Sequence, residues 1–288
     1  MNHSKIVFVI LLAALSWTGR VTGQELDGTL KKIKTSSTLT LGYREAAPPF
    51  SFPGPDRRPV GYSVDLCMHI ASAVQKQLGL ADLKLNWVPV SAENRIDMVV
   101  QGKIDVECGT TTATLARQER VDFSLMTFVD GGSLLTKADL ELRGVGDLAG
   151  KRIAVIPGTT TEAALAKFLK AEFVTAEMVR VKNPVEGVAA IEKGTADAFA
   201  SDRGILIGIA VTSKDPKRFG LANVLFSYEP YGFMLRRNDA AFRLAVNKAL
   251  AQLYRSGDVA AIYERWFGGF GKPTPAIQAM YLLNGLPE

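Results

Sequence analysis

The chain has 288 residues, a net charge of +5, two cysteines and two histidines. That length suits one large domain or two smaller lobes. With no basic run interleaved with aromatics, nothing suggests nucleic acid. Two distant cysteines and a single histidine beyond the N-terminus, His69, form no metal-ligand cluster.

Lys5 is followed by the uncharged run IVFVILLAAL over residues 6–15. This run is too short to span a bilayer but matches the apolar core of a secretory signal. The alternative is an uncleaved anchor. Val21, Thr22 and Gly23 offer small residues for cleavage, so residues 1–23 are expected to leave as a signal peptide. Removing them takes out Lys5 and Arg20 and lowers the net charge to +3. No cysteine lies at the new N-terminus, which rules out lipid attachment there. No later stretch is apolar and long enough to cross a membrane, so an exported, soluble protein is expected.

Short β-rich runs then alternate with amphipathic ones, which predicts an α/β fold. Strands are expected over 38–42, 83–88 and 104–108, with a further extended run over 121–128. Helices are expected over 64–78, with Leu66, Ile70 and Val74 on one face, and over 94–102, ended by Gly102. From Ser133 the pattern restarts: strands over 152–156, 178–181 and 197–200, and helices over 160–173 and 185–193, with a short one near Ile205. Residues 224–227 and 232–235 read as extended, and 240–256 and 259–267 as helical.

Two short glycine-bearing crossings separate the halves: Val129-Asp130-Gly131-Gly132 and Tyr228-Glu229-Pro230-Tyr231-Gly232. Glycine absorbs backbone rotation, so two such crossings predict a hinge with a cleft at its mouth. The expected lobes are residues 24–130 plus 232–288, and residues 131–231. The alternative is two ordinary surface loops of one compact domain.

Arg44, Arg95 and Arg117 stand near predicted strand ends, where ligands bind in open α/β sheets. A lone arginine is most often a solvated ion-pair partner of little energetic weight. As a set, these three suit carboxylates, which guanidinium binds through paired, charge-assisted hydrogen bonds. Thr110 and Thr112 lie in a hydroxyl-rich turn, Gly109-Thr110-Thr111-Thr112. In the second half, Gly158-Thr159-Thr160-Thr161-Glu162 opens a helix, with Thr159 and Glu162 spaced as a capping box. Helix N-termini of this kind attract anions. Asp202, past a predicted strand, suits either an ammonium group or a helix N-cap. Cys67 and Cys108 suit either a disulfide or two buried thiols.

These landmarks, together with Gly42-Tyr43-Arg44, Gly61-Tyr62-Ser63-Val64-Asp65-Leu66, Asn94-Arg95, Arg117-Gln118 and Ile262-Tyr263-Glu264-Arg265-Trp266-Phe267, appear in a fixed order. In that order the chain resembles the extracellular solute-binding proteins of family 3, nearest to the glutamate/aspartate type. The resemblance covers essentially the whole mature chain. It implies a two-lobed periplasmic binding protein (type II, Venus-flytrap) that serves an ABC importer as a monomer, with a membrane permease as partner and no cofactor. Arg117 and Thr112 would hold the ligand α-carboxylate, and Thr110 and Asp202 the α-ammonium. Thr159 or Thr160 would close from the second lobe, and Tyr62 would supply an aromatic wall. Arg44 stands where receptors for basic amino acids carry an acid, so with Arg95 it would read a side-chain carboxylate. Two positions depart from the pattern: Ala92 replaces a serine and Pro184 a histidine, both at the side-chain end. The alternatives are an enzyme on the same fold, of the cyclohexadienyl dehydratase kind, and a sensory or chemotaxis receptor.

Overall fold

A computed structural model describes residues 26–287. The expected signal peptide, its cleavage near Gly23 and Gln24 all lie outside the described residues. In chain order the elements are α1 (Gly28–Ser36), β1 (Thr38–Arg44), β2 (Phe52–Pro53), β3 (Pro59–Val60), α2 (Tyr62–Gln77), β4 (Lys84–Val90), α3 (Arg95–Val100), β5 (Val106–Cys108), α4 (Leu115–Gln118) and β6 (Val121–Asp130). There follow β7 (Gly132–Lys137), β8 (Arg152–Val155), α5 (Thr160–Ala171), β9 (Glu177–Arg180), α6 (Pro184–Lys193), β10 (Ala198–Asp202), α7 (Arg203–Thr212) and β11 (Phe219–Leu221). The chain ends with β12 (Glu229–Arg236), α8 (Ala240–Ser256), α9 (Val259–Phe267) and α10 (Pro275–Asn284). Among the described residues no helix is long and apolar enough to cross a membrane.

Two five-stranded sheets carry the two lobes. The first runs β4-β1-β5-β12-β6 and the second β11-β7-β10-β8-β9. β1 pairs in parallel with both β4 and β5, as helical crossovers through α2 and α3 require. β8 pairs in parallel with β9 and β10. Parallel strands align their C-terminal ends, so each lobe gathers its strand-to-helix turns on one edge.

Each lobe has its own core. The first is built on Leu39, Leu41, Leu66, Ile70, Val74, Phe233 and Phe242, all fully buried. The second lobe packs Ile153, Val155 and Leu165 on one face of its sheet and Ile191, Phe199 and Leu206 on the other. Cys67, near the start of α2, is bonded to Cys108 at the end of β5, with Cα atoms 6.1 Å apart. Of the two readings the sequence left open, the structure takes the disulfide.

The crossings are strands rather than loose loops. β6 ends at Asp130, and only Gly131 separates it from β7 of the second sheet. β12 begins at Glu229, which pairs with Asp130, and Tyr231 pairs with Phe128. Residues 229–231, expected in the second lobe, are therefore hydrogen-bonded into the first sheet. A Cβ at Gly131 would stand 2.7 Å from the Ser227 carbonyl, so the two crossings run nearly in contact.

The lobes also touch directly. Ile205 of α7 joins the first lobe's core. A Cβ at Gly208, one turn further along α7, would stand only 2.3 Å from the Pro48 carbonyl oxygen. Glycine there lets the helix lie against the 47–50 segment of the first lobe.

The strands and helices expected in the body of the chain form within a few residues of their predicted bounds, with exceptions. Residues 224–227 form no strand; the extended segment lies earlier, in β11, which pairs with β7. α1, β2, β3, α4, β7 and α10 were not expected.

Candidate functional site

Seven of the nine predicted site residues line one small cavity between the lobes. Arg44, Arg95, Thr110 and Thr112 come from the first lobe, and Thr159, Thr160 and Asp202 from the second. They meet because each sits at the C-terminal end of a parallel strand or in the turn that follows. Arg44 is the last residue of β1 and Asp202 the last of β10. The threonine turn follows β5, and Arg95 opens α3 after β4.

Arg44 and Arg95 are 9% and 4% exposed. No carboxylate among the described residues forms an ion pair with either. The Nε of Arg95 is buried without any hydrogen-bond partner. Burial, then the neighbouring charge of Arg95, lowers the Arg44 guanidinium pKa to about 10, against the opposing pull of Glu107 and Asp202. Desolvation and like-charge repulsion are unfavourable for two adjacent buried cations. A ligand carboxylate placed between them would remove that cost.

Arg117 does not line the cavity. Its Nη1 donates to the Thr112 carbonyl oxygen at 2.9 Å, bracing the threonine turn from behind. Burial, then Arg95, lowers its pKa to about 10 as well. Tyr62 is a correction: it forms no wall of the cavity. It is fully buried in the first lobe's core, edge-on to Phe50, Phe128 and Phe267. Its hydroxyl donates to the Thr127 carbonyl at 2.8 Å and meets the Tyr281 hydroxyl at the same distance. Gly61, at φ 130°, turns the start of α2 so that Tyr62 faces inward, and a Cβ there would lie 2.3 Å from the Phe50 carbonyl oxygen.

The capping alternatives for the second-lobe residues resolve differently. Thr159 does cap α5, accepting from the Glu162 N–H at 3.1 Å. The Glu162 carboxylate reaches Gly158 N–H at 2.9 Å, one residue short of a closed capping box. Asp202 precedes α7 but makes no side-chain cap. Its carboxylate instead accepts from the Thr161 hydroxyl at 2.6 Å and from the Tyr231 hydroxyl. Burial, then Glu229, raises its pKa.

Three residues read only as hinge proved to be part of the site's framework. Glu229, fully buried, accepts from Thr112 of the first lobe at 2.5 Å, Thr160 of the second at 2.6 Å and Ser227 of the crossing at 2.6 Å. Thr112 and Thr160 are themselves 3.2 Å apart. Asp130 and Tyr231 stand beside Asp202, described below. The one signal in the sequence was the presence of acids in otherwise apolar crossings.

The inner cavity is about 30 Å³, room for one or two waters. An amino acid therefore needs the lobes to part before it enters. Outside it lies a cleft of about 900 Å³ between the lobes, and Arg44, Ile156 and Pro184 border both spaces. Ala92 lines the outer cleft. Among the described residues no group of histidine, cysteine and acidic side chains could hold a metal ion.

The geometry is that of a ligand clamp between two lobes, and the comparisons identify the lineage. The bacterial extracellular solute-binding proteins, family 3, match residues 39–269. This chain belongs to that family. It is 39% identical over 248 residues to the L-glutamate/L-aspartate-binding protein of Pseudomonas aeruginosa, covering 86% of this chain and 82% of that one. It is 35% identical over 239 residues to the glutamate/aspartate import solute-binding protein of Salmonella typhimurium, covering 83% and 79%. Among solved structures it is similar to an ancestral amino acid-binding protein, a precursor of cyclohexadienyl dehydratase. There the TM-score is 0.72 at 29% identity, with 83% of this chain and all of that one covered. Like its family, this chain is a two-lobed solute-binding protein.

Proposed function

We propose that this protein is a periplasmic receptor that closes over an acidic L-amino acid, glutamate or aspartate, and hands it unchanged to a membrane permease. The observation that carries the reading is the pair of buried guanidiniums, Arg44 and Arg95, which converge on the cleft without carboxylate partners. The printed specificities of the Pseudomonas and Salmonella relatives support it.

In this reading the ligand's side-chain carboxylate lies between Arg44 and Arg95. Its ammonium meets Asp202 and Thr110. Its α-carboxylate takes the charge of Arg117 and the hydroxyls of Thr112 and Thr160, which turn to it from Glu229. Closure needs only that the ligand bind the closed lobes better than the open ones. Pro184 offers no hydrogen-bond donor at the side-chain end, so selectivity against uncharged analogues rests on the two arginines. The protein acts as a monomer and converts nothing.

Thermal unfolding with each amino acid tests this. A ligand at 100 times its Kd adds about 2.7 kcal/mol to the native state. Glutamate or aspartate should raise Tm; lysine and arginine should not, because their cationic ends would face Arg44. Proton NMR of the incubated ligand should show no new species. A larger shift with lysine than with glutamate would overturn the specificity, and turnover would overturn the role as a receptor.

A further inference from the structure

Beside the clamp, at the hinge, three acids gather around one phenol: Asp202 and Glu229 are buried and Asp130 is partly buried. Asp130 ends β6 in the first crossing, Asp202 ends β10 in the second lobe, and Glu229 opens β12 in the second crossing. Tyr231 lies between the first two. Its hydroxyl bonds the Asp202 carboxylate and stands 3.4 Å from Asp130 Oδ2. Asp130 also takes the capping role that Asp202 leaves open: its oxygens accept from Gly131 N–H at 2.8 Å and from Gly204 N–H, in the first turn of α7, at 2.9 Å. One carboxylate at the end of β6 in the first lobe thus caps a helix of the second lobe.

No lysine or arginine among the described residues forms an ion pair with Asp130, Asp202 or Glu229. Asp130 feels Asp202 as its main neighbouring charge, and the phenol of Tyr231 beyond it. Asp202 feels Glu229 and, with opposite sign, Arg95. Glu229 is bonded by three hydroxyls. Arg44 and Arg117 also act on Asp202 without forming an ion pair with it. Two adjacent carboxyls with little solvent and no cation in contact cannot both ionise cheaply, and the usual outcome is a shared proton. The phenol provides the route. With Asp130 protonated, its O–H faces the Tyr231 oxygen while the Tyr231 O–H faces Asp202; moving both protons reverses the arrangement.

We propose that Asp130 and Asp202 hold one proton between them through Tyr231, and that the α-ammonium of the arriving amino acid displaces it to solvent. The exchange balances: one ammonium charge arrives beside Asp202 and one proton leaves the pair. Asp130 is then a positioning residue. It never touches the ligand but sets how much negative charge Asp202 can offer. The inference rests on the proposed placement of the ammonium, which every amino acid carries, and not on the identity of the side chain. Burial and the Asp202 charge raise the Asp130 carboxyl to about 7, so the displaced proton would be visible near neutral pH.

Titration calorimetry in buffers of different ionisation enthalpy counts the protons. With glutamate or glutamine at pH 7 the wild type should release about half a proton per ligand, the occupancy of a group titrating at the working pH. Apparent affinity should fall as pH drops below about 7, because the shared proton competes with the ammonium. Asp130→Asn keeps an oxygen for one of the two backbone N–H groups and removes the shared proton, so its release should drop to near zero while Kd at pH 8 changes less than about tenfold. A second arm needs no ligand. An acid whose folded pKa is raised stabilises at low pH and loses that contribution as pH rises through the folded value. The wild-type Tm should therefore fall relative to Asp130→Asn between about pH 4 and 7. Binding without proton release, or equal release from the variant, overturns the exchange while leaving the receptor reading intact. If no amino acid binds, the receptor reading fails, and parallel Tm profiles in the ligand-free arm then overturn the shared proton independently.

Discussion

Replacing Arg44 with methionine should stabilise the ligand-free protein while damaging its function. Arg44 is 9% exposed, beside Arg95 and without an ion-pair partner. A guanidinium whose pKa is lowered to about 10 is less stable in its charged form by on the order of 3 kcal/mol at neutral pH. Methionine keeps much of the aliphatic stem and needs no solvation, so Arg44→Met should gain on the order of 1–3 kcal/mol in unfolding free energy. Glutamate binding should move the other way. Removing one partner of a buried charge pair costs on the order of 2–5 kcal/mol, and about 1.4 kcal/mol is tenfold in Kd. Glutamine, with no side-chain charge, should weaken less than about tenfold. Urea denaturation without ligand and calorimetric titration with both amino acids make the measurement. A variant less stable than wild type that loses both ligands equally would show Arg44 to be a structural residue, and the acidic selectivity would have to rest on Arg95.

Arg117→Ala should weaken glutamate and glutamine alike, by at least about tenfold, because the turn it braces serves the carboxylate all amino acids share; a loss confined to glutamate would reassign it to the side-chain end. Gly208→Ala puts a Cβ 2.3 Å from the Pro48 carbonyl, so α7 must move off the first lobe. Solution scattering should show a larger ligand-free radius of gyration and calorimetry a weaker Kd for every ligand. Unchanged scattering would mean that this contact does not hold the lobes together. Replacing Cys67 and Cys108 together with alanine opens a link across 41 residues of chain, worth on the order of 4 kcal/mol by chain entropy. Denaturation should register that loss, and intact mass after alkylation without reduction should show no added label on the wild type.

The alternation of strands and helices was readable because period-2 and period-3.6 patterns switch sharply along the body of the chain. α1 escaped because Gly28–Ser36 is short and mostly polar, and its burial is decided by α8 and β1 rather than by its own pattern. The site was readable where residues occupy strand ends: Arg44, Thr110, Thr112 and Asp202 need only the parallel order to meet. Tyr62 failed because one glycine dihedral decides whether the first residue of α2 faces the cleft or the core, and sequence carries no sign of it. Asp130, Glu229 and Tyr231 failed for a different reason. They are 99 to 101 positions apart across the two crossings and become neighbours only when β6 and β12 pair.

That pairing separates two properties that natural variation can tune independently. Because both crossings lie in one hydrogen-bonded ribbon, a change in the ribbon shifts the fraction of molecules able to clamp, and apparent Kd scales inversely with that fraction for every ligand alike. The ratio between two ligands is untouched, since it is set by groups such as Arg44 and Pro184 that the ribbon does not contain. A lineage could therefore retune its sensitivity to a scarcer or richer environment by drift at residues 129–132 and 228–232 without changing its diet. A switch of diet would leave its mark at the strand ends instead.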